Sequence, residues 1–180
     1  MMTEKATWVI DPTHSTVEFS VKHMMIATVK GRFGQFEGKI IADPNDLSGA
    51  SAEVEIDAQS IDTKVQDRDQ HLRGADFFDV EKYPKITFRS TDIQPKAGQS
   101  GEYRLTGDLT IRGITRPVTL DVTYNGHGKD PWGGERIAFS AEGVINRKDF
   151  GLNWNTVLES GGVLVGDQVK LSIDVEAIRQ

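Results

Sequence analysis

Histidine is the residue type in this chain best suited to metal binding or acid–base catalysis, and two of the four histidines lie close together. His14 and His23 stand nine residues apart in DPTHSTVEFSVKH, around a run that alternates apolar and polar residues. Residues of equal parity share one face of a strand, so His23 points inward with Val17, Phe19 and Val21 while His14 points outward. The spacing therefore argues against a shared metal site.

Each of the four histidines has its own expected environment. His23 has two interpretations: a contact to the polar end of a ligand at a cavity mouth, or a strand-end ring bound to a carbonyl or water. His14 follows Pro12 and is expected to hydrogen-bond local backbone in a turn. His71 stands in the polar stretch DRDQHLR and is expected to face solvent, and His127 lies in a glycine-rich loop without a role.

Other reactive groups are scarce. The chain has no cysteine, which excludes disulfides, thiol nucleophiles and iron–sulfur clusters. Ser160-Gly161-Gly162 lacks the strand–turn–helix context of a nucleophile elbow. We therefore predict no catalytic residue, no metal site and no cofactor other than a bound ligand.

Charge and hydropathy restrict the partners. The chain carries 27 acidic and 21 basic residues for a net charge of −6, which argues against nucleic-acid binding. The start MMTEKATWVIDP is too polar for a signal peptide, and no apolar stretch approaches the ~18 residues of a membrane helix. We expect a cytoplasmic protein without a membrane span, and 180 residues suit one domain over 1–180.

Most of the chain alternates apolar and polar residues with period two, which is typical of antiparallel strands with one wet face. The pattern predicts eight strands, at residues 16–22, 28–42, 50–57, 85–93, 102–112, 115–125, 136–147 and 168–178. The second strand changes parity at Gly34, where we place a bulge. Glycine in the tight connection Arg112–Thr115 suits a hairpin turn with positive φ at Gly113.

One segment favours a helix. Thr63 to Gln66 fits a capping box and Gly74 suits the end of the helix, so we predict a helix over 63–73. Its thin apolar stripe places it across an opening rather than inside a core. Together the elements predict an all-β fold, an eight-stranded antiparallel up-and-down barrel of the lipocalin type with one short helix near an opening, or alternatively a β-sandwich.

Several stretches resemble the YceI-like, polyisoprenoid-binding family, in order over nearly all of residues 8–178. They are WVIDPTHSTVEFSVKHMMIATVKGRFGQFEG, HLRGADFFDVEKYPKITFRS, LTGDLTIRGITRPVTL, INRKDFGLNWN and VGDQVKLSIDVEAI. The resemblance implies the same eight-stranded barrel, holding a long apolar ligand such as a polyprenyl chain or fatty amide. Many relatives are exported, whereas this sequence shows no leader.

The resemblance and the alternation together predict a lipid site. The expected apolar lining is Val17, Phe19, Val21, Phe33, Phe88, Leu105, Leu109, Phe139 and Ile145. The expected contacts to the polar end, at the mouth, are His23, Arg147, Asp149 and Trp154. The favoured function is transport, storage or sequestration of a polyisoprenoid, isoprenoid quinone or fatty amide.

Two other functions stay open. One is an enzyme that modifies such a lipid with His23 or Asp149 as acid or base. The other is a structural or interaction module whose barrel is filled by its own side chains. A homodimer, in which a second copy covers the opening, is an alternative to a monomer.

Overall fold

A computed structural model describes residues 4–156, 158 and 162–180 of the chain. Within them it contains one helix, α1 at Gln66–Arg73, and short 3₁₀ turns at Pro12–His14, Ala58–Ser60 and Arg147–Phe150. The strands are β1 Ala6–Ile10, β2 Thr16–His23, β3 Ala27–Phe33, β4 Phe36–Asp43, β5 Asp46–Asp57, β6 Ile61–Asp62, β7 Lys85–Pro95, β8 Glu102–Ile111, β9 Ile114–Lys129, β10 Glu135–Asn146 and β11 Val165–Arg179. No helix in this part of the chain is long and apolar enough to cross a membrane.

The strands close into a barrel. β1 and β2 follow one another along β11, and β3 and β4 follow one another along β2 and β1, so each pair acts as one bent strand. The remaining long strands pair antiparallel in chain order from β4 through β5, β7, β8, β9 and β10 to β11. Pairing of β11 with β1 and β2 completes the circle, which confirms the closed eight-stranded antiparallel barrel.

The first barrel strand begins earlier than the sequence predicts. β1 was not anticipated, because it is separated from β2 by a turn rather than continuing its alternation. Pro12 lacks a donor for the ladder, and the carboxylate of Asp11 accepts a hydrogen bond from the Thr13 amide at 3.1 Å. The chain therefore leaves regular pairing for one turn before β2.

The predicted irregularity at Gly34 is present as a break between β3 and β4. The Gly34 amide donates to the Ser60 carbonyl at 3.1 Å, and the Asp57 amide donates to the Gln35 carbonyl at 2.9 Å. The segment after β5 thus satisfies the backbone groups that the bend removes from the ladder. The hairpin between β8 and β9 turns as expected, with Gly113 at φ +72.

The predicted cap of α1 is wrong. Val65 occupies the position before the first helical residue, and no side chain caps the helix. The amide and hydroxyl of Thr63 instead donate to the buried carboxylate of Asp69, one turn into the helix. This contact satisfies the buried Asp69 carboxylate and holds Thr63 outside the helix. The helix is therefore shorter than predicted and spans Gln66–Arg73.

One end of the barrel is sealed by a compact cluster. Trp8 and Ile137 are completely buried there with Ala42, Leu47 and Ala177. The indole of Trp8 donates to the Ala42 carbonyl at 3.1 Å, so its polar atom is satisfied. The helix α1 lies at the opposite end of the barrel. The barrel is therefore closed at the Trp8 end and bordered by α1 at the other.

Candidate ligand-binding cavity

The barrel encloses a cavity of ≈ 530 Å³. This volume lies within the ~300–1,000 Å³ range of small-molecule sites. The predicted apolar residues all border it: Val17, Phe19, Val21, Phe33, Phe88, Leu105, Leu109, Phe139 and Ile145. The barrel is therefore not filled by its own side chains, which argues against the alternative of a self-filled module.

Glycines on neighbouring strands let two phenylalanine rings lie flat against the wall. Phe19 pairs with Gly31 across β2 and β3, and a Cβ on that glycine would collide with the Phe19 ring. Gly107 on β8 makes the same room for the ring of Phe88 on β7. Each ring fills the space that a side chain on the neighbouring glycine would take, which leaves the centre of the barrel open.

The polar groups of the cavity gather at the α1 end. Asp67, Arg68 and His71 of the helix all border the cavity. The Arg68 guanidinium donates to the hydroxyl and the carbonyl of Thr63, at 2.8 and 2.7 Å, which holds it against the rim. A ligand with an apolar tail and a polar head would find its polar partners here.

His71 keeps 40% of its side chain exposed, as expected of a solvent-facing residue, but the rest of its ring packs at the rim of the cavity. Its ring meets Trp154 edge-on with centroids 4.7 Å apart and Phe77 at 5.1 Å, while Nε2 lies 3.0 Å from a carboxylate oxygen of Asp76. The next residue, Leu72, also borders the cavity. The sequence contained one signal for this position: a helix that lies across the opening of a barrel brings some of its side chains, such as His71, to the edge of the cavity.

The four predicted mouth residues occupy different environments. His23, the last residue of β2, and Trp154 are half-buried and border the cavity. Arg147 also borders it but is 3% exposed. Asp149 is exposed on the 3₁₀ turn and does not border the cavity, because that turn directs it outward while Phe150 packs inward.

The guanidinium of Arg147 is hydrogen-bonded to backbone carbonyls rather than free to bind a ligand. Nε donates to the Gly166 carbonyl at 2.8 Å, and Nη1 donates to the carbonyls of Leu152 and Trp154, the latter at 2.9 Å. Nη2 donates to the Val165 carbonyl at 3.2 Å. Burial lowers the pKa of this guanidinium. With four N–H groups already used, Arg147 serves to join the segment after the 3₁₀ turn to β11.

The remaining sequence candidates lie away from the cavity. His14 binds the Asp11 carboxylate at 2.7 Å and His127 lies 2.9 Å from the Tyr124 hydroxyl. No three His, Asp or Glu side chains in the described residues come together as a metal site. Ser160 and Gly161 lie outside the described residues.

The closed antiparallel barrel and its apolar interior define a lipocalin-like fold with an internal cavity. The YceI-like domain model matches residues 8–177, and the chain belongs to the YceI-like family, as its sequence predicted. UPF0312 proteins of Staphylococcus epidermidis and Staphylococcus aureus are 42% and 41% identical over 167 residues, covering 92% of this chain and 94% of theirs.

Solved structures share the fold. BcnA of Burkholderia cenocepacia is 28% identical with a TM-score of 0.80, covering 93% of this chain and 99% of its own. The YCEI protein of Campylobacter jejuni is 34% identical with a TM-score of 0.73, covering 88% and 90%. A polyisoprenoid binding domain from Saccharophagus degradans, implicated in plant cell wall breakdown, is 17% identical with a TM-score of 0.66, covering 98% and 100%.

Proposed function

We propose that this protein binds one long-chain amphiphilic lipid inside the barrel, for transport, storage or sequestration. The ligand classes are a polyisoprenoid, an isoprenoid quinone or a fatty amide. The observation that carries the proposal is the cavity of ≈ 530 Å³, walled by aliphatic and aromatic side chains from around the barrel. The Saccharophagus domain, which has the same fold, is described as binding polyisoprenoids.

The energetics favour a long tail. Burial of each CH₂ contributes ~0.8 kcal/mol, so one five-carbon isoprene unit contributes roughly 3–4 kcal/mol before losses. Association opposes this with an estimated ~4–15 kcal/mol. Several buried units are therefore needed, which favours long chains over single isoprene units.

The two ends of the cavity orient such a ligand. The Trp8 cluster seals one end with apolar side chains, so the tail points towards it. The head then lies near His23, Arg68 and His71, which can hydrogen-bond a carbonyl, amide or hydroxyl group. Arg147 contributes indirectly, by positioning the segment that carries Trp154.

Native mass spectrometry of the protein purified without detergent tests the proposal, followed by organic extraction of any bound mass. We expect either a co-purified lipid or stoichiometric uptake of farnesyl- to octaprenyl-length probes by stripped protein. Protein that is ligand-free and takes up none of these probes would contradict lipid binding.

The same preparation tests the enzyme alternative. Of its two acid–base candidates, His23 borders the cavity and Asp149 does not. Binding alone predicts that the extracted lipid is chemically unchanged after prolonged incubation. A product that forms with the wild type and disappears in His23→Ala would favour catalysis instead.

A further inference from the structure

The hairpin tip between β2 and β3 is unusually apolar for an exposed turn. Met24, Met25 and Ile26 form it, with exposed fractions of 45%, 63% and 84%. Met24 and Met25 have φ of +54° and +64°, in the left-handed region that hairpin turns usually fill with Gly, Asn or Asp. Backbone geometry therefore does not explain these side chains, and their exposure to water is unfavourable.

The hairpin below the tip is basic. The two strands carry Lys22 and Lys30 near the tip, and both side chains are exposed, although the whole chain has a net charge of −6. Arg32 lies at the far end of β3, opposite Glu18 and 4.0 Å from the Asp62 carboxylate, and does not add to this charge. A local positive charge on an acidic protein attracts an anionic partner to this surface.

The tip adjoins the cavity mouth. It directly follows His23, and the Met24 amide donates to the carbonyl of Leu164 at 2.8 Å; both His23 and Leu164 border the cavity. β6 pairs antiparallel with the far end of β3, so the chain leaving β6 runs towards the tip. Lys64 and Val65 follow β6 in this direction, and Val65 is 46% exposed.

We propose that the β2–β3 tip and its basic flank dock the mouth of the barrel on the surface of an anionic lipid bilayer. Exposed Met and Ile side chains enter the boundary between headgroups and acyl chains, while Lys22 and Lys30 contact anionic headgroups. A few side chains on a protruding turn suit insertion into lipid, whereas a stable protein interface buries ~800 Å² per partner.

Vesicle flotation of the full chain tests the proposal, with phosphatidylcholine vesicles that contain or lack phosphatidylglycerol. The test variant is Met25→Ser/Ile26→Ser. The matched control is Trp132→Ser, because Trp132 is also 84% exposed but lies in the β9–β10 hairpin at the opposite end of the barrel. A second pair of variants tests the role of charge. Lys30→Glu changes the charge of the basic flank, and its control Lys39→Glu makes the same change in net charge at an exposed position on β4.

We expect binding to anionic vesicles that weakens with salt, and a loss of about tenfold or more in the double variant, since two buried apolar side chains are removed. Trp132→Ser and Lys39→Glu should bind like the wild type, and Lys30→Glu should bind less. Absent flotation, or an equal loss in Trp132→Ser, would overturn the proposal.

A self-association role would also overturn it. Analytical ultracentrifugation would then show a wild-type dimer that Met25→Ser/Ile26→Ser converts to monomer, while neither protein floats with vesicles. Vesicle binding does not require a lipid in the cavity, so this test and the ligand-uptake test can fail separately. Thermal unfolding of each variant confirms that it is folded.

Discussion

Replacing Gly31 with alanine is expected to push the Phe19 ring into the cavity and weaken ligand uptake. An alanine Cβ would lie 2.8 Å from Cε1 of Phe19 and 2.9 Å from Cγ2 of Thr63. Because ordinary carbon–carbon contacts are ~3.5–4 Å, the ring must retreat by about 1 Å. The space open to it is the cavity, where a ligand would otherwise lie.

The effect on binding should exceed the effect on stability. Overpacking commonly costs ~1–3 kcal/mol, and the open cavity places this variant near ~1 kcal/mol. If the displaced ring excludes two methylene groups at ~0.8 kcal/mol each, the loss is about 1.6 kcal/mol, or more than tenfold in Kd.

The assay is a titration of ligand-free protein with an octaprenyl-length probe. Binding is monitored by tryptophan fluorescence, because Trp154 borders the cavity. Gly34→Ala is the matched control, since a Cβ there meets nothing closer than 4.0 Å. Phe19→Leu in the Gly31→Ala background should restore binding. Wild-type affinity in Gly31→Ala, or an equal loss in Gly34→Ala, would refute the reasoning.

Three further predictions concern Phe139, Arg147 and Asp11. Phe139→Ala should weaken probe uptake more than it lowers the free energy of unfolding, while the fully buried Ile137→Ala should lose ~2–5 kcal/mol in urea unfolding. Arg147→Lys should lower the thermal midpoint and expose residues near Trp154 to proteolysis, since one ammonium cannot serve four carbonyls. Hydrogen bonds from Thr13, Arg136 and His14 hold the pKa of Asp11 well below its usual value, so its stabilisation is present above pH ~4 and is lost on further acidification. Urea unfolding of Asp11→Asn should therefore show a flatter acid limb than the wild type.

The lining was predictable because strand parity assigns each side chain to one face. Val17, Phe19 and Val21 illustrate this, since one inward residue fixes the others as long as the strand is regular. β1 escaped prediction because the Pro12 turn interrupts the same barrel strand before its alternation is established.

The mouth was less predictable because it depends on contacts distant in sequence. His71 reaches the cavity by packing against Trp154, and no local pattern encodes that pair. Arg147 borders the cavity, but its guanidinium is saturated by backbone carbonyls, an arrangement that arises only when β11 and the preceding segment meet. Asp149 lies two residues after Arg147 in the same 3₁₀ turn. In a strand the two side chains would share a face, but in this turn they point in different directions.

The seal formed by Trp8 and Ile137 has a kinetic consequence. If the barrel binds an amphiphilic lipid as proposed, and the lipid passes through the mouth at the α1 end, it enters tail first and leaves head first. The rate of dissociation would then fall with each additional isoprene unit that must be withdrawn into water, while the rate of association would depend on the mouth alone. Residence time would therefore rise steeply with chain length, and long lipids would stay bound after short ones had exchanged.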